Sequence, residues 1–341
     1  MSHGTLIFNP VAGAIDWRRM VKAVDELCRH RGWSIELQST ARPGHATELA
    51  RTAARHGHKL VLAAGGDGTI NEVVNGLVGS ETILAPLPIG TANCLAKELR
   101  LPQLNLLQRN ALLDATAKLL DGTVHAVDIG QCQPERSLAA TSKSELPATR
   151  YWLLWASVGF DSYVVHHVEP RSRQFKRFGK LAYTAKTLSL LPGFSGIEAR
   201  VKVDSHSVEG EFLLINVSNA RWFAGGDLRL NPTGVLDDGL FEVWLIRGHA
   251  WPDLLRSGID IVRQIHPHQP QVDKLRGQQI EIITKRPYPT HLDGELAYTT
   301  PIRCALVPKA LQLLTPTATS SGLFSYRGER LHGQAEVNAA H

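Results

Sequence analysis

Apolar and polar positions alternate in two different rhythms along the chain. In the first third, short apolar runs (Thr5–Phe8, Leu60–Ala64, Ile83–Leu87) read as buried strands, and Ser34–Gln38 alternates as a shorter one. Between them lie helical patterns. Met20, Val21, Val24 and Leu27 share one face behind Asp16 as a candidate N-cap, and Ala46–Arg55 is an Ala-rich helix. Ile70, Val73, Val74 and Leu77 fall at i, i+3, i+4 and i+7; Cys94–Leu99 and Leu104–Leu120 continue the series. Strands and helices alternating at this spacing predict a parallel sheet with helices on both sides.

Three of these strands run into glycine-containing turns. They are Asn9-Pro10-Val11-Ala12-Gly13, Gly65-Gly66-Asp67-Gly68-Thr69-Ile70-Asn71 and Pro88-Ile89-Gly90-Thr91-Ala92-Asn93; Thr40 and Gly44 lie in a further loop. All would sit at the carboxyl ends of strands, the edge where open α/β sheets bind ligands. A helix start behind a glycine turn attracts anions, so three such turns on one edge suit a phosphate-bearing ligand. Asp67 is an acid among anion-attracting amides, which calls for a metal ion or a substrate hydroxyl beside it.

The character changes around His125–Gly130. Gln131–Arg150 is polar, carries Pro134 and Pro147, and reads as a linker or insertion. Beyond it Tyr151–Trp155, Glu198–Val203, Phe212–Val217, Leu240–Ile246 and Gln279–Ile283 read as strands, with helices near Val165–Leu191 and Pro252–Gln264. The expected organisation is an α/β domain over 1–130, a mainly antiparallel β domain over 131–315, and a Ser/Thr/Gly-rich mobile tail over 316–341. Two acidic strings stand out in the second half. His291-Leu292-Asp293-Gly294-Glu295 is a hairpin turn or, beside a nucleotide, a carboxylate pair that accepts a hydroxyl proton and holds Mg2+. Val235-Leu236-Asp237-Asp238-Gly239-Leu240 is a hairpin turn or an oxygen-ligand metal loop. Arg171, Arg173, Lys176, Arg177, Lys180 and Lys186, interleaved with Phe175, Phe178 and Tyr183, form either a solvated helix face or a membrane-docking segment.

Composition narrows the picture. The 341 residues are 43% hydrophobic and 20% charged, ordinary for a globular protein, and predict about two domains. A net charge of +5 suits an anionic partner. Cys28, Cys94, Cys132 and Cys304 are scattered without a CxxC pair, so neither a disulfide framework nor a zinc site is expected. No signal peptide or membrane span is expected, which places the protein in the cytoplasm. P-loop, protein-kinase and G-x-G-x-x-G fingerprints are absent, and no recognised nucleic-acid module accompanies the basic residues.

Taken together, these strings resemble the diacylglycerol kinase catalytic-domain family, in particular its bacterial soluble, YegS-like lipid kinases, over about residues 4–315. Asn9–Gly13 is similar to the family's NPxSG opening, Gly65–Leu77 to its GGDGTxNEVxNGL string, and Pro88–Leu99 to its GTxNDFA segment. Asn219–Val243 resembles the β-domain string that ends in DDGLLDV, and Leu292–Leu296 the DGE element. The resemblance implies a three-layer α/β N-terminal domain like that of NAD kinases and phosphofructokinases. It also implies a β-sandwich C-terminal domain, with the ATP site between the two. ATP would be held by Asn9, Gly13, Thr40, Gly65, Gly66, Asp67, Gly68, Thr69, Ile70, Asn71, Gly90 and Thr91. Glu295 would accept the proton, with Asp293 and Asp67 orienting the hydroxyl or a catalytic Mg2+. Val235, Asp238 and Leu240 would form a structural Mg2+ site, partly through backbone carbonyls.

The implied activity is ATP-dependent phosphorylation of a lipid hydroxyl, on diacylglycerol, phosphatidylglycerol or a related alcohol, by an enzyme resting peripherally on the membrane. A homodimer is left open. An NAD kinase-like enzyme, which shares GGDGT, and a non-catalytic nucleotide- and membrane-binding module are the rival readings. Two positions depart from the family pattern: Cys94 stands where many relatives carry Asp, and Ala12 replaces Ser.

Overall fold

The computed structural model describes residues 1–10, 12, 17–90, 92–102, 110–135, 149–168, 183–319 and 322–331. The chain divides into two units, Met1–Val127 with Lys309–His341, and Asp128–Pro308.

In the first unit, β1 (Ser2–Phe8) pairs in parallel with β2 (Trp33–Ser39) on one side and β3 (Leu60–Gly65) on the other. β4 (Ile83–Pro88) extends the parallel sheet beyond β3. Every residue of β3 is buried, as a central strand covered on both faces requires. The helices α1 (Trp17–His30), α2 (His45–Arg55), α3 (Asp67–Leu77), α4 (Cys94–Glu98) and α5 (Ala111–Leu120) connect the strands. α1 packs with α5 and α2 with α3, giving the helix–sheet–helix layering that the alternating pattern predicts. The predicted face of α3 is the buried one, through Ile70, Val73, Val74 and Leu77. α3 lies so close to α2 that a Cβ on Gly76 would come within 2.6 Å of the Ala50 Cβ.

The second unit is antiparallel. β7 (Trp155–Gly159), β8 (Ile197–Val203) and β10 (Phe241–Arg247) all pair with the long β9 (His206–Ser218). β11 (Val272–Gly277) adds to β10, and β12 (Gln279–Thr284) to β8. β13 (Pro289–Leu292) joins β7 and carries β14 (Glu295–Thr299). Trp152, Phe212, Phe241, Trp244, Ile215 and Val243 anchor its core. α6 (Phe160–Val168), a helical stretch at 183–190 and α7 (Trp251–Val262) complete it.

Several sequence expectations are corrected. Gln131–Arg150 is not polar linker throughout. β5 (Thr123–Pro134) runs into it, and β6 (Arg150–Trp152) closes it, with Cys132 opposite Arg150. Tyr151–Trp155 is two strands rather than one, broken at Leu153-Leu154. The tail expected over 316–341 packs where it is described: Leu323 is fully buried, Phe324 stacks on His125, and β16 (Glu329–Arg330) pairs with β5. The reason is that β15 (Ile302–Thr315) continues past Pro308 to pair in parallel with β4, carrying the end of the chain into the first unit. No helix among the described residues is long and apolar enough to cross a membrane.

Candidate active site

Parallel register brings the predicted turns together. Phe8 lies opposite both Ser39 and Ala64, and Gly65 opposite Pro88. Asn9, Thr40, Gly66 and Gly90, each one or two residues beyond a strand end, therefore share the carboxyl edge of the sheet. Backbone bonds knit this edge: Asn9 N–H donates to Ala64 O at 3.1 Å, Thr40 N–H to Phe8 O at 2.9 Å, and Ile89 N–H to Gly65 O at 2.9 Å. The Asn9 amide donates to Thr69 Oγ1 at 3.4 Å. A Cβ on Gly90 would lie 2.5 Å from the Gly66 Cα, so the turns after β3 and β4 pack backbone against backbone. Gly13 and Thr91 lie outside the described residues.

Asp67 opens α3, where the first amides have no intrahelical acceptor. Its Oδ1 accepts the Cys94 backbone N–H at 2.8 Å. Position 94 thus serves Asp67 through its main chain, an interaction that Cys makes as well as Asp would. Ile70 and Asn71 are buried, and Asn71 Oδ1 accepts from Asn75 Nδ2 at 3.2 Å. Ile70 can offer a ligand only its backbone. Glu72, from the same string, caps a neighbouring helix. Its carboxylate accepts the Gly44 N–H at 2.9 Å and the Ala46 N–H at 3.0 Å, at the start of α2.

In the second unit, Asp293 and Gly294 form a two-residue hairpin between β13 and β14, with Leu292 paired to Glu295. Both have positive φ, 50° and 86°, the pattern of a type I′ turn, for which Asp-Gly is a favoured pair. Asp293 is buried. Its carboxylate accepts the amides of Leu153 at 2.9 Å, Leu154 at 2.8 Å and Trp155 at 3.0 Å, the bend that separates β6 from β7. The sequence reading gave Asp293 a catalytic part; here its carboxylate binds backbone.

Glu295, on the next strand, is 41% exposed and accepts from Arg150 Nη2 at 3.1 Å. Arg150 Nη1 also donates to Leu296 O at 3.0 Å. His291, buried behind the turn, joins it to α6: Gly294 N–H donates to His291 Nδ1 at 3.2 Å, which leaves Nε2–H to donate to Asp161 Oδ2 at 2.8 Å. Arg150 and Asp161 escaped the sequence reading. Arg150 ends a polar stretch without a motif, and Asp161 opens a short helix without one.

At the predicted metal loop the Asp238 carboxylate has partners within the protein. Asp238 Oδ2 pairs with the Arg276 guanidinium, and Oδ1 accepts the Leu240 N–H at 3.2 Å. Arg276 is thus a cationic partner of the one carboxylate in the expected Val235, Asp238 and Leu240 site. Among the described residues no group of three or more His, Cys, Asp or Glu side chains could hold a metal ion.

Two family models match the chain. The diacylglycerol kinase catalytic domain covers residues 3–132, and the YegS C-terminal NAD kinase beta sandwich-like domain covers 155–315. The chain belongs to the diacylglycerol kinase catalytic-domain family. Its enzyme class is that of a lipid kinase. The diacylglycerol kinase of Bacillus subtilis (strain 168) is 26% identical over 299 residues, 86% of this chain and 90% of that one. That of Staphylococcus carnosus (strain TM300) is 25% identical over 313 residues, 91% and 94% of the two chains. A crystal structure of a diacylglycerol kinase from Bacillus anthracis str. Sterne matches with a TM-score of 0.66 at 18% identity, over 94% of this chain and 98% of that one. A second solved chain from that organism reaches 0.74 at 20% identity, over 94% and 97%. These structural likenesses carry the α/β and β-sandwich folds of the kinase.

Proposed function

We propose that this lipid kinase transfers the γ-phosphoryl group of ATP to the hydroxyl of diacylglycerol, phosphatidylglycerol or a related lipid alcohol, while resting on the membrane surface. The observation that carries the reading is Glu295, a half-exposed carboxylate at a hairpin tip, with one oxygen held by Arg150. A general base needs this combination of access and fixed position. In the first unit, the edge formed by Asn9, Thr40, Gly65–Thr69 and Gly90 would bind the ATP phosphates through backbone amides and the α3 dipole. Gly13 and Thr91 are included by their place in the motifs.

In the second unit, Glu295 would take the proton of the lipid hydroxyl as the hydroxyl oxygen bonds to the γ-phosphorus, the bond from that phosphorus to the β,γ-bridging oxygen breaks and ADP leaves. Arg150 would hold the carboxylate, and Asp293 would fix the turn beneath it as a positioning residue. Asp67, held by the Cys94 amide, would orient the hydroxyl. Asp67 would equally serve to orient a Mg2+ ion, which when bound would supply positive charge to offset the phosphates of ATP.

The test is transfer of labelled phosphate from ATP to a total lipid extract, with the product identified by mass and NAD offered in parallel. A phosphorylated lipid supports the reading. Phosphorylated NAD, or ATP bound without transfer to any lipid, overturns it.

A further inference from the structure

α7 turns its apolar side outward. Ser257, Asp260 and Ile261 are its buried residues, and Asp260 Oδ2 accepts from Gln271 Nε2 at 3.2 Å. On the other side Trp251, Leu255, Ile259 and Val262 are 43%, 42%, 53% and 69% exposed, and Ile265 follows at 39%. At roughly 100° per residue the four helical positions fall within an arc of about 80°, a continuous stripe. A helix on a globular surface ordinarily shows the reverse arrangement, and a contiguous exposed apolar patch marks an interaction surface.

The border of the stripe is cationic. Arg256 and Arg263, seven residues apart, follow it round the helix; both are exposed and neither makes an ion pair among the described residues. Beyond Arg256 opens a cavity of about 260 Å³ lined by Arg247, His249, Asp253 and Arg256, in which Arg247 pairs with Asp273 and His249 with Glu211.

We propose that α7 is the membrane-docking surface of this kinase, seating its apolar stripe in an anionic lipid leaflet with Arg256 and Arg263 against the lipid phosphates. The choice of a lipid surface rests on the proposed lipid acceptor, which is held in a membrane. Charge supports the same choice. Pairing with a second copy through this face would gather two sets of unpaired arginines, whereas an anionic leaflet neutralises them. Trp251 at one end of the stripe suits the headgroup boundary, where an indole keeps its ring in the apolar layer and its N–H in the wet one. The basic segment 171–186, the docking candidate of the sequence reading, lies outside the described residues except for its end.

The test is flotation of the full chain with vesicles of phosphatidylcholine alone or mixed with phosphatidylglycerol. Wild type is expected to float with the mixed vesicles, and its Trp251 emission to shift to the blue, a shift lost in Trp251→Phe. Leu255→Glu with Ile259→Glu should lower partitioning about ten-fold or more without changing the melting temperature, and Arg256→Ser with Arg263→Ser should abolish the preference for anionic vesicles. Both double variants should phosphorylate a short-chain, monomeric diacylglycerol at the wild-type rate and fail only on vesicles.

Wild type that ignores anionic vesicles, or a double-glutamate variant that binds them undiminished, overturns the proposal. So does a double-glutamate variant that changes only from dimer to monomer. If no lipid is phosphorylated in any form, the functional reading falls, while flotation still decides the docking surface by itself.

Discussion

Arg150 grips Glu295 and the strand that carries it: one guanidinium nitrogen reaches Glu295 Oε2 at 3.1 Å and the other Leu296 O at 3.0 Å. The side chain and its backbone are thus fixed by one planar group, which an ammonium could not reproduce. Glu295→Gln removes the proton acceptor but keeps the shape. It should lower kcat by roughly 10²–10⁴-fold and leave the melting temperature near wild type. Arg150→Met should lower kcat less and alter its pH profile, with Arg150→Lys restoring part of the rate. Steady-state kinetics across pH check both, and a folded Glu295→Gln enzyme of near-normal activity would sink the assignment.

Asp293 is expected to fail differently. Its carboxylate takes three backbone amides in a buried bend, so Asp293→Ala leaves all of them without an acceptor. At about 1–3 kcal/mol for each buried donor left unsatisfied, the loss should be several kcal/mol and visible in urea unfolding. Asp293→Asn keeps one acceptor oxygen and should lose less. An Asp293→Ala protein that unfolds like wild type but is inactive would return Asp293 to a catalytic part.

What the residues disclosed in advance was whatever depends on neighbours in the chain. The Ile70, Val73, Val74 and Leu77 spacing identified α3 and its buried face because a helix repeats every few residues. The strand-end turns were visible for the same reason. The break between β6 and β7 was not, because Asp293, 140 residues further on, imposes it on Leu153. Arg150 was invisible because its partner lies 145 residues away. Nor did the residues disclose that Asp238 pairs with Arg276, 38 residues away. The pattern in Pro252–Gln264 announced a helix, but periodicity does not say which face is covered, and here the apolar face is not.

Gly90 and Gly66 make a matched pair for separating backbone packing from ligand chemistry. A Cβ on Gly90 would lie 2.5 Å from the Gly66 Cα, whereas one on Gly66 would meet the Gly90 Cα at 3.4 Å, an ordinary contact. Gly90→Ala must therefore push the two turns apart, and should cost roughly 1–3 kcal/mol. ATP affinity should fall with it, because the turns it separates are the proposed phosphate edge. Gly66→Ala should cost less than about 1 kcal/mol and so report on nucleotide binding alone. Calorimetric titration with ATP beside thermal melts separates the two effects. Equal stability for both variants would mean that the turns yield easily.

His266 should give the fold a measurable acid sensitivity. It is fully buried against Trp244, with Nε2 donating to Leu230 O at 2.8 Å. Burial lowers its pKa below the ordinary 6.5, and the Leu230 carbonyl offsets this only in part. The unfolded chain therefore binds the proton more readily than the folded one. The stabilisation is complete above 6.5 and is lost as pH falls through the window between 6.5 and the lowered folded value. Glu242, pushed up by its own burial, acts in the opposite sense and loses stabilisation as pH rises, so the bare pH slope is a sum. His266→Phe isolates one part of it: the variant gives up the bond to Leu230 at every pH but should lack the additional loss on acidification. Urea midpoints for both proteins from about pH 8 to about pH 5 check this, and parallel curves would assign the acid sensitivity to other groups.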